Sequence, residues 1–228
     1  MSDTAVASPT ELRDGASGFA QDWSADKQAF HAPWGKAMMW IFLLSDTFIF
    51  SCFLTSYMKV RMTTTEPWPN PSEVFALTVA GNHIPLLLIA IMTFILISSS
   101  GTMAMAVNFG YRKNRKVVVW LMVATALFGA SFVGMQAFEW TKLIVEEGVR
   151  PWGNPMGAPQ FGSFFFMITG FHGLHVSGGV IYLSFIAFKV WRGDYDRSGN
   201  YEAVEIAGLY WHFVDLVWVF IFAFFYLW

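Results

Sequence analysis

The sequence has 228 residues, of which 55% are hydrophobic, 18% are aromatic and only 13% are charged. Ordinary soluble domains carry about 25% charged residues, so this composition excludes a disordered chain and argues against an ordinary soluble domain. The single cysteine excludes an intrachain disulfide framework. A formal net charge of −2 excludes nucleic acid as a partner, because no positive field is available for phosphates.

The hydrophobic residues are collected into five segments, each long enough to cross a hydrocarbon core of about 30 Å as a helix. All 14 Lys and Arg residues lie outside these segments. The segments are continuous rather than alternating, which favours helices over the strands of a barrel. The sequence therefore predicts an all-α, polytopic membrane protein with a bundle of five transmembrane helices, at residues 37–57, 84–107, 117–140, 161–188 and 206–228.

The polar stretch 1–36 precedes the five-helix domain of residues 37–228. It contains no apolar run of the kind found in signal peptides, and its acidic residues outnumber its basic ones, unlike those of a transit peptide. Ten basic residues fall on the side of the N-terminus and four on the other side. By the positive-inside rule, the N-terminal tail is predicted to be cytoplasmic and the C-terminus periplasmic.

The first segment carries Asp46 near its middle, in the stretch LLSDTFIF. An uncompensated Asp at the centre of a membrane helix costs about 2.5–3.5 kcal/mol on insertion scales. One interpretation is a carboxylate that exchanges protons, or that fixes a bound lipid or a neighbouring helix. The other is a buried carboxyl group that only hydrogen-bonds another helix, and the sequence leaves both open.

Charged residues near the ends of the second and third segments have simpler explanations. The basic run Arg112, Lys113, Arg115 and Lys116 follows the second segment, where it can meet anionic lipid headgroups or serve only as a positive-inside loop. Glu139 lies beside the end of the third segment, three residues before Lys142. This spacing permits a local ion pair, and an interfacial carboxylate that reaches water is an equal alternative to a functional role.

The last two segments each carry a polar pair at a spacing of three residues. His172 and His175 share one helix face, and so do His212 and Asp215. Two such pairs on facing helices could hold a metal, but the segments contain no ExxH pair and no Cys/His cluster, so no metal site is predicted. We expect instead an interhelical polar network of the two pairs, and Glu205 near the positive end of the last helix dipole.

Two long motifs and three short ones carry a resemblance to a known family. They are GFHGLHV (170–176) and EIAGLYWHFVDLVW (205–218), supported by LSDTFIF (44–50), NPSEV (70–74) and GMQAFE (134–139). Over about residues 34–228 the chain resembles subunit III of the haem-copper terminal oxidases, in its short five-helix bacterial form.

The resemblance implies a noncatalytic subunit of a proton-pumping oxidase that reduces O2 to water in aerobic respiration. Asp46 stands where the family has an intramembrane carboxylate associated with proton uptake by the catalytic subunit. The polar positions of the later helices border a lipid-holding cleft in the family; here they are Glu139, His172, His175, Glu205, His212 and Asp215. Longer members have seven helices, so the chain is expected to begin at the equivalent of their third.

The resemblance also implies the partners and the location. The chain itself is expected to bind no haem or copper, which the catalytic subunit would hold, and to bind a structural phospholipid. Subunit I is the expected direct partner, with subunit II and a subunit IV in the same complex. The expected location is the bacterial plasma membrane, and cytochrome c is preferred to quinol as the electron donor.

Three alternatives remain open from the sequence. A related subunit accompanies nitric oxide reductase and shares these motifs. A small proton-conducting protein could use Asp46, Glu139 and Asp215 as a relay, although the inverted repeats typical of transporters are not visible. A membrane cytochrome could use His172, His175 or His212 as axial ligands, and a visible haem spectrum of the isolated chain would indicate it.

Overall fold

The computed structural model describes residues 33–79, 82–195 and 201–228, so the predicted tail 1–36 lies almost wholly outside the described residues. Within them, five helices are long and apolar enough to cross a membrane, which confirms the predicted helical membrane fold. The long helices are α1 (Trp34–Thr63), α3 (Leu87–Tyr111), α4 (Arg115–Val145), α5 (Gln160–Arg192) and α6 (Glu202–Phe222). A π-helical turn, Ala223–Leu227, continues α6.

The helices are longer than the apolar segments that predict them. Helix α1 has 30 residues and is about 45 Å long at 1.5 Å per residue, which matches a bilayer with its headgroup regions rather than the hydrocarbon core alone. Its last turn carries Arg61, and the last turn of α4 carries Lys142. Charged residues can continue a helix where its end reaches water.

The connection between α1 and α3 contains a short helix and a hairpin. Helix α2 (Pro71–Val74) is followed by the antiparallel strands β1 (Ala76–Val79) and β2 (Asn82–Pro85). The second transmembrane helix therefore begins at Leu87, three residues after the predicted start at position 84. Leu86 separates strand from helix with a left-handed backbone at φ 58°, a conformation that is uncommon for residues other than glycine.

Residues 39–228 form one compact unit, in which helices α3, α4 and α5 pack in chain order and α6 closes against both α3 and α5. Trp211 and Trp218 of α6 are fully buried. A Cβ added at Gly129 of α4 would collide with the ring of Trp211 and would lie 2.7 Å from Cγ2 of Val180. The absence of a side chain at Gly129 therefore lets three helices meet around one tryptophan.

Helix α1 contacts α5 and the π-helical turn after α6 through aromatic side chains. Phe50 packs on Phe171 with a ring-centroid distance of 5.3 Å, and Tyr57 packs on Phe225 at 4.1 Å. At the end of α1, Arg61 Nη1 donates to the carbonyl oxygen of Trp228 over 2.6 Å. These contacts hold α1 against the elements that carry most of the polar motifs.

Candidate functional site

Asp46 of α1 and His175 of α5 form an ion pair or hydrogen bond across two helices. His175 Nε2 lies 3.0 Å from Asp46 Oδ2, and His175 Nδ1 lies 2.8 Å from the carbonyl oxygen of Phe171. Asp46 is 5% exposed. The pair is also enclosed by the ring of Phe50, 5.6 Å from the imidazole, and by Tyr210, which donates to the carbonyl oxygen of His175 over 2.9 Å.

The contacts of His175 fix how many protons the pair holds. The Phe171 carbonyl can only accept, so Nδ1 of His175 carries a hydrogen. A neutral imidazole has no second N–H, and the short Nε2–Oδ2 distance therefore requires another proton between the two groups. That proton makes either a neutral Asp46 acid or an imidazolium–carboxylate pair, and both have zero net charge. The pair is thus a buried contact in which one proton lies between an acid and a histidine.

Glu139 of α4 belongs to a second buried cluster. Its Oε2 accepts hydrogen bonds from Gln136 Nε2 at 2.9 Å and from the Tyr226 hydroxyl at 3.2 Å. Glu139 is 4% exposed, which argues against the interpretation of an interfacial carboxylate that reaches water, one of the two that the sequence left open. The π-helical turn places Tyr226 here, a contact that residue spacing along α4 could not indicate.

A line of hydroxyl groups on α3 binds the polar side chains of α6. Trp218 Nε1 donates to Thr93 Oγ1 at 3.0 Å, and Trp211 Nε1 donates to Ser99 Oγ at 2.9 Å. Ser100 Oγ lies 2.6 Å from Nδ1 of His212. The run of Ser and Thr within the second apolar segment was the available signal for this ladder, which the sequence predictions did not include.

The expected network of His172 and His175 against His212 and Asp215 does not form among the described residues. His175 pairs with Asp46, and His212 pairs with Ser100. A spacing of three residues places two side chains on one face of their helix. It does not determine which neighbouring helix that face contacts.

His172 is buried against aromatic rings rather than hydrogen-bonded. Neither of its ring nitrogens has a partner among the described residues. Its ring stacks on Trp218 at 5.4 Å and meets the edge of Phe132 at 5.9 Å. His172 therefore packs within the aromatic core of the bundle.

Asp215 of α6 is also buried, and both of its carboxylate oxygens lack a hydrogen-bond partner among the described side chains. It lines a groove between α3 and α6 together with Ser100 and His212. His212 and Asp215 therefore lie in the same groove, as their spacing indicates. The carboxylate of Asp215 hydrogen-bonds neither histidine of α5.

The remaining candidates lie at helix ends. Glu205 is in the first turn of α6. The basic run spans the turn between α3 and α4 and the first residues of α4, with all four side chains exposed: Arg112, Lys113, Arg115 and Lys116. In the described part of the chain, no group of three or more His, Cys, Asp or Glu side chains is arranged as metal ligands would be.

Comparisons with known proteins place this geometry in a family. The family model described as Cytochrome c oxidase subunit III matches residues 34–228. A "Probable quinol oxidase subunit 3" of Staphylococcus aureus (strain USA300) is 31% identical over 197 residues, which cover 86% of this chain and 90% of the relative.

A second relative carries the other oxidase name. The "Cytochrome c oxidase subunit 3" of Alkalihalophilus pseudofirmus is 30% identical over 194 residues, covering 82% of this chain and 84% of the relative. The match spans all five long helices and both polar clusters. The chain belongs to the subunit III family of the haem-copper terminal oxidases.

Proposed function

We propose that the chain is the noncatalytic subunit III of a proton-pumping terminal oxidase, which packs on the catalytic subunit, binds lipid and sustains proton uptake. The Asp46–His175 pair is the observation that carries this proposal. An acid and an imidazole in hydrogen-bonding contact can relay a proton, since a proton taken up at one group can be matched by release from the other, which returns the pair to zero net charge.

The other features of the proposed complex follow from the family. The catalytic subunit I would hold the haem and copper and would be the direct partner, with subunits II and IV alongside. We propose the bacterial plasma membrane as the location, as the bacterial relatives suggest, and cytochrome c as the electron donor. Assay of the purified complex with reduced cytochrome c and with a quinol decides the donor, and faster oxidation of the quinol would contradict this part of the proposal.

Lipid binding is supported by a groove between α1 and α6. It has a volume of about 290 Å³ and is lined mainly by apolar side chains, among them Phe50, Leu54, Met58 and Phe220. Such a lining fits an acyl chain, since it offers contact with hydrocarbon and little that water could hydrogen-bond.

The role of Asp46 is tested with Asp46→Asn in the intact oxidase, reconstituted into vesicles. The amide of Asn can still donate to Nε2 of His175, so we expect normal assembly. It cannot exchange a proton at physiological pH, so we expect slower proton uptake during turnover or a shorter active lifetime of the enzyme. The two quantities are measured by a pH-sensitive dye and by the decay of O2 consumption.

Glu139→Gln is the matched control, because it also neutralises a buried carboxylate while keeping an acceptor for Tyr226. It should leave both quantities near those of the unaltered oxidase. If Asp46→Asn also leaves proton uptake and lifetime unchanged, the role of Asp46 in proton supply is refuted.

A further inference from the structure

Asp215 differs from the other two buried acids in having no hydrogen-bond partner among the residues that the structure describes. Asp46 is paired with His175, and Glu139 is bonded to Gln136 and Tyr226. Asp215 is only 7% exposed, yet neither carboxylate oxygen has a hydrogen-bond partner among the described residues. Ser100 lies beside it but outside hydrogen-bonding geometry, and the Ser100 hydroxyl lies 2.6 Å from Nδ1 of His212.

The carboxylate lines an open groove at the depth of the membrane centre. The groove lies between α3 and α6, has a volume of about 230 Å³, and has exposed apolar residues such as Ile97 and Val219 along it. Along the helix axis, Asp215 is about 20 Å from Glu202 and about 18 Å from Leu227. Both ends of the membrane span are therefore distant.

This depth decides between lipid and protein as the occupant. Hydrocarbon tails carry no hydrogen-bond donor, and lipid headgroups lie in the outer regions of the bilayer. A polar group in hydrocarbon without a partner is costly, and intramembrane acids consequently face a partner inside a bundle or across an interface. Only a protein helix brings a polar side chain to the membrane centre.

We propose that the groove around Asp215 is the contact surface for a transmembrane helix of a partner oxidase subunit, which supplies a side chain that hydrogen-bonds Asp215. The proposal rests on the proposed packing of this chain in an oxidase complex and identifies one surface that makes that packing. The surrounding apolar residues of α3 and α6 would provide the van der Waals contact, and Asp215 would set the depth at which the partner helix docks.

A photoreactive phenylalanine analogue at Ile97 tests the surface in the full oxidase. Ile97 is exposed and lies on the groove, so the probe does not disturb the core. We expect irradiation to join this chain covalently to another oxidase subunit, identified by mass spectrometry. The same analogue at the exposed Ile181 of α5 measures the background.

The part played by Asp215 is tested with two variants carrying the Ile97 probe. Asp215→Leu should lower the yield of the cross-linked product several-fold, and Asp215→Asn, which keeps an acceptor oxygen, should lower it less. Equal yields in all three proteins would overturn the role of Asp215.

Labelling of lipid alone, or of a second copy of this chain, would overturn the proposed surface. In that case the chain would still copurify with the catalytic subunit, and the proposed function would stand. If the unaltered chain instead failed to copurify with the catalytic subunit, the proposed function itself would be contradicted.

Discussion

At the scale of single residues, three buried acids of similar chemistry are distinguished by their partners. Asp46 faces a histidine that already donates through its other nitrogen, so this pair must hold a proton. Glu139 accepts from an amide and a phenol and ties the C-terminal turn to α4. Asp215 has no partner in the described chain. Partner chemistry, more than burial, therefore distinguishes the proposed proton site from the contact with the C-terminal turn and from the proposed contact surface.

The Asp46–His175 contact is expected to contribute to stability as well as to proton supply. Asp46→Ala removes the partner of a mostly buried imidazole nitrogen and should lower the free energy of unfolding by about 1–2 kcal/mol. Asp46→Asn should lower it less, because the amide can replace the hydrogen bond. Unfolding of the purified chain in mixed micelles, followed by helical circular dichroism, measures both losses.

A double-mutant cycle with His175→Ala separates the pair from its surroundings. If Asp46 and His175 stabilise the protein through their contact, the double variant should lose less unfolding free energy than the two single variants lose together. Strictly additive losses would show that Asp46 and His175 stabilise the protein independently.

At the scale of helices, hydropathy predicts the five membrane spans because exclusion of charge from hydrocarbon is a strong and local constraint. It predicts helix ends less well, since Lys59 and Arg61 continue α1 beyond its apolar segment. Hairpin β1–β2 was not predicted, because Ile84 and Pro85 extend the apolar run of the following helix.

The partners of the polar residues were harder to predict than the helices. A spacing of three residues places His172 and His175 on one face, but tertiary packing turns His175 to Asp46 and leaves His172 among aromatic rings. The hydroxyl ladder of α3 was missed for a different reason. A hydroxyl in a membrane helix can bond its own backbone, as Thr93 does to the carbonyl oxygen of Ile89, so Ser and Thr alone do not indicate an interhelical contact.

The packing of α4 on α5 and α6 is expected to depend on Gly129. Gly129→Ala adds a methyl group against the buried ring of Trp211 and the partly buried side chain of Val180, and overpacking of this kind costs about 1–3 kcal/mol. Gly134→Ala is the matched control on the same helix, since a Cβ there meets no atom within 4 Å. Equal unfolding free energies for the two variants would contradict this account of the helix contact.

At the scale of the whole molecule, the distribution of charged residues predicts how the bundle is oriented in the membrane. The turn between α3 and α4 and the start of α4 are basic, with Arg112, Lys113, Arg115 and Lys116. The connection between α4 and α5 instead contains Glu146, Glu147 and a single Arg150. Short basic loops stay in the cytoplasm during insertion. The orientation with the N-terminus inside stays a prediction, and it determines from which side of the membrane the proposed partner subunits and proton supply reach this chain.

Cysteine labelling in intact spheroplasts tests this orientation. With the exposed Cys52 replaced by alanine, a single cysteine is introduced at Lys113 or at Glu146, both of which are exposed. A membrane-impermeant maleimide should label the Glu146→Cys protein in intact spheroplasts, and should label the Lys113→Cys protein only after lysis. The two loops lie at opposite ends of α4, so each variant is the control for the other. The reverse pattern would place the basic turn outside and would contradict an orientation set by the positive-inside rule.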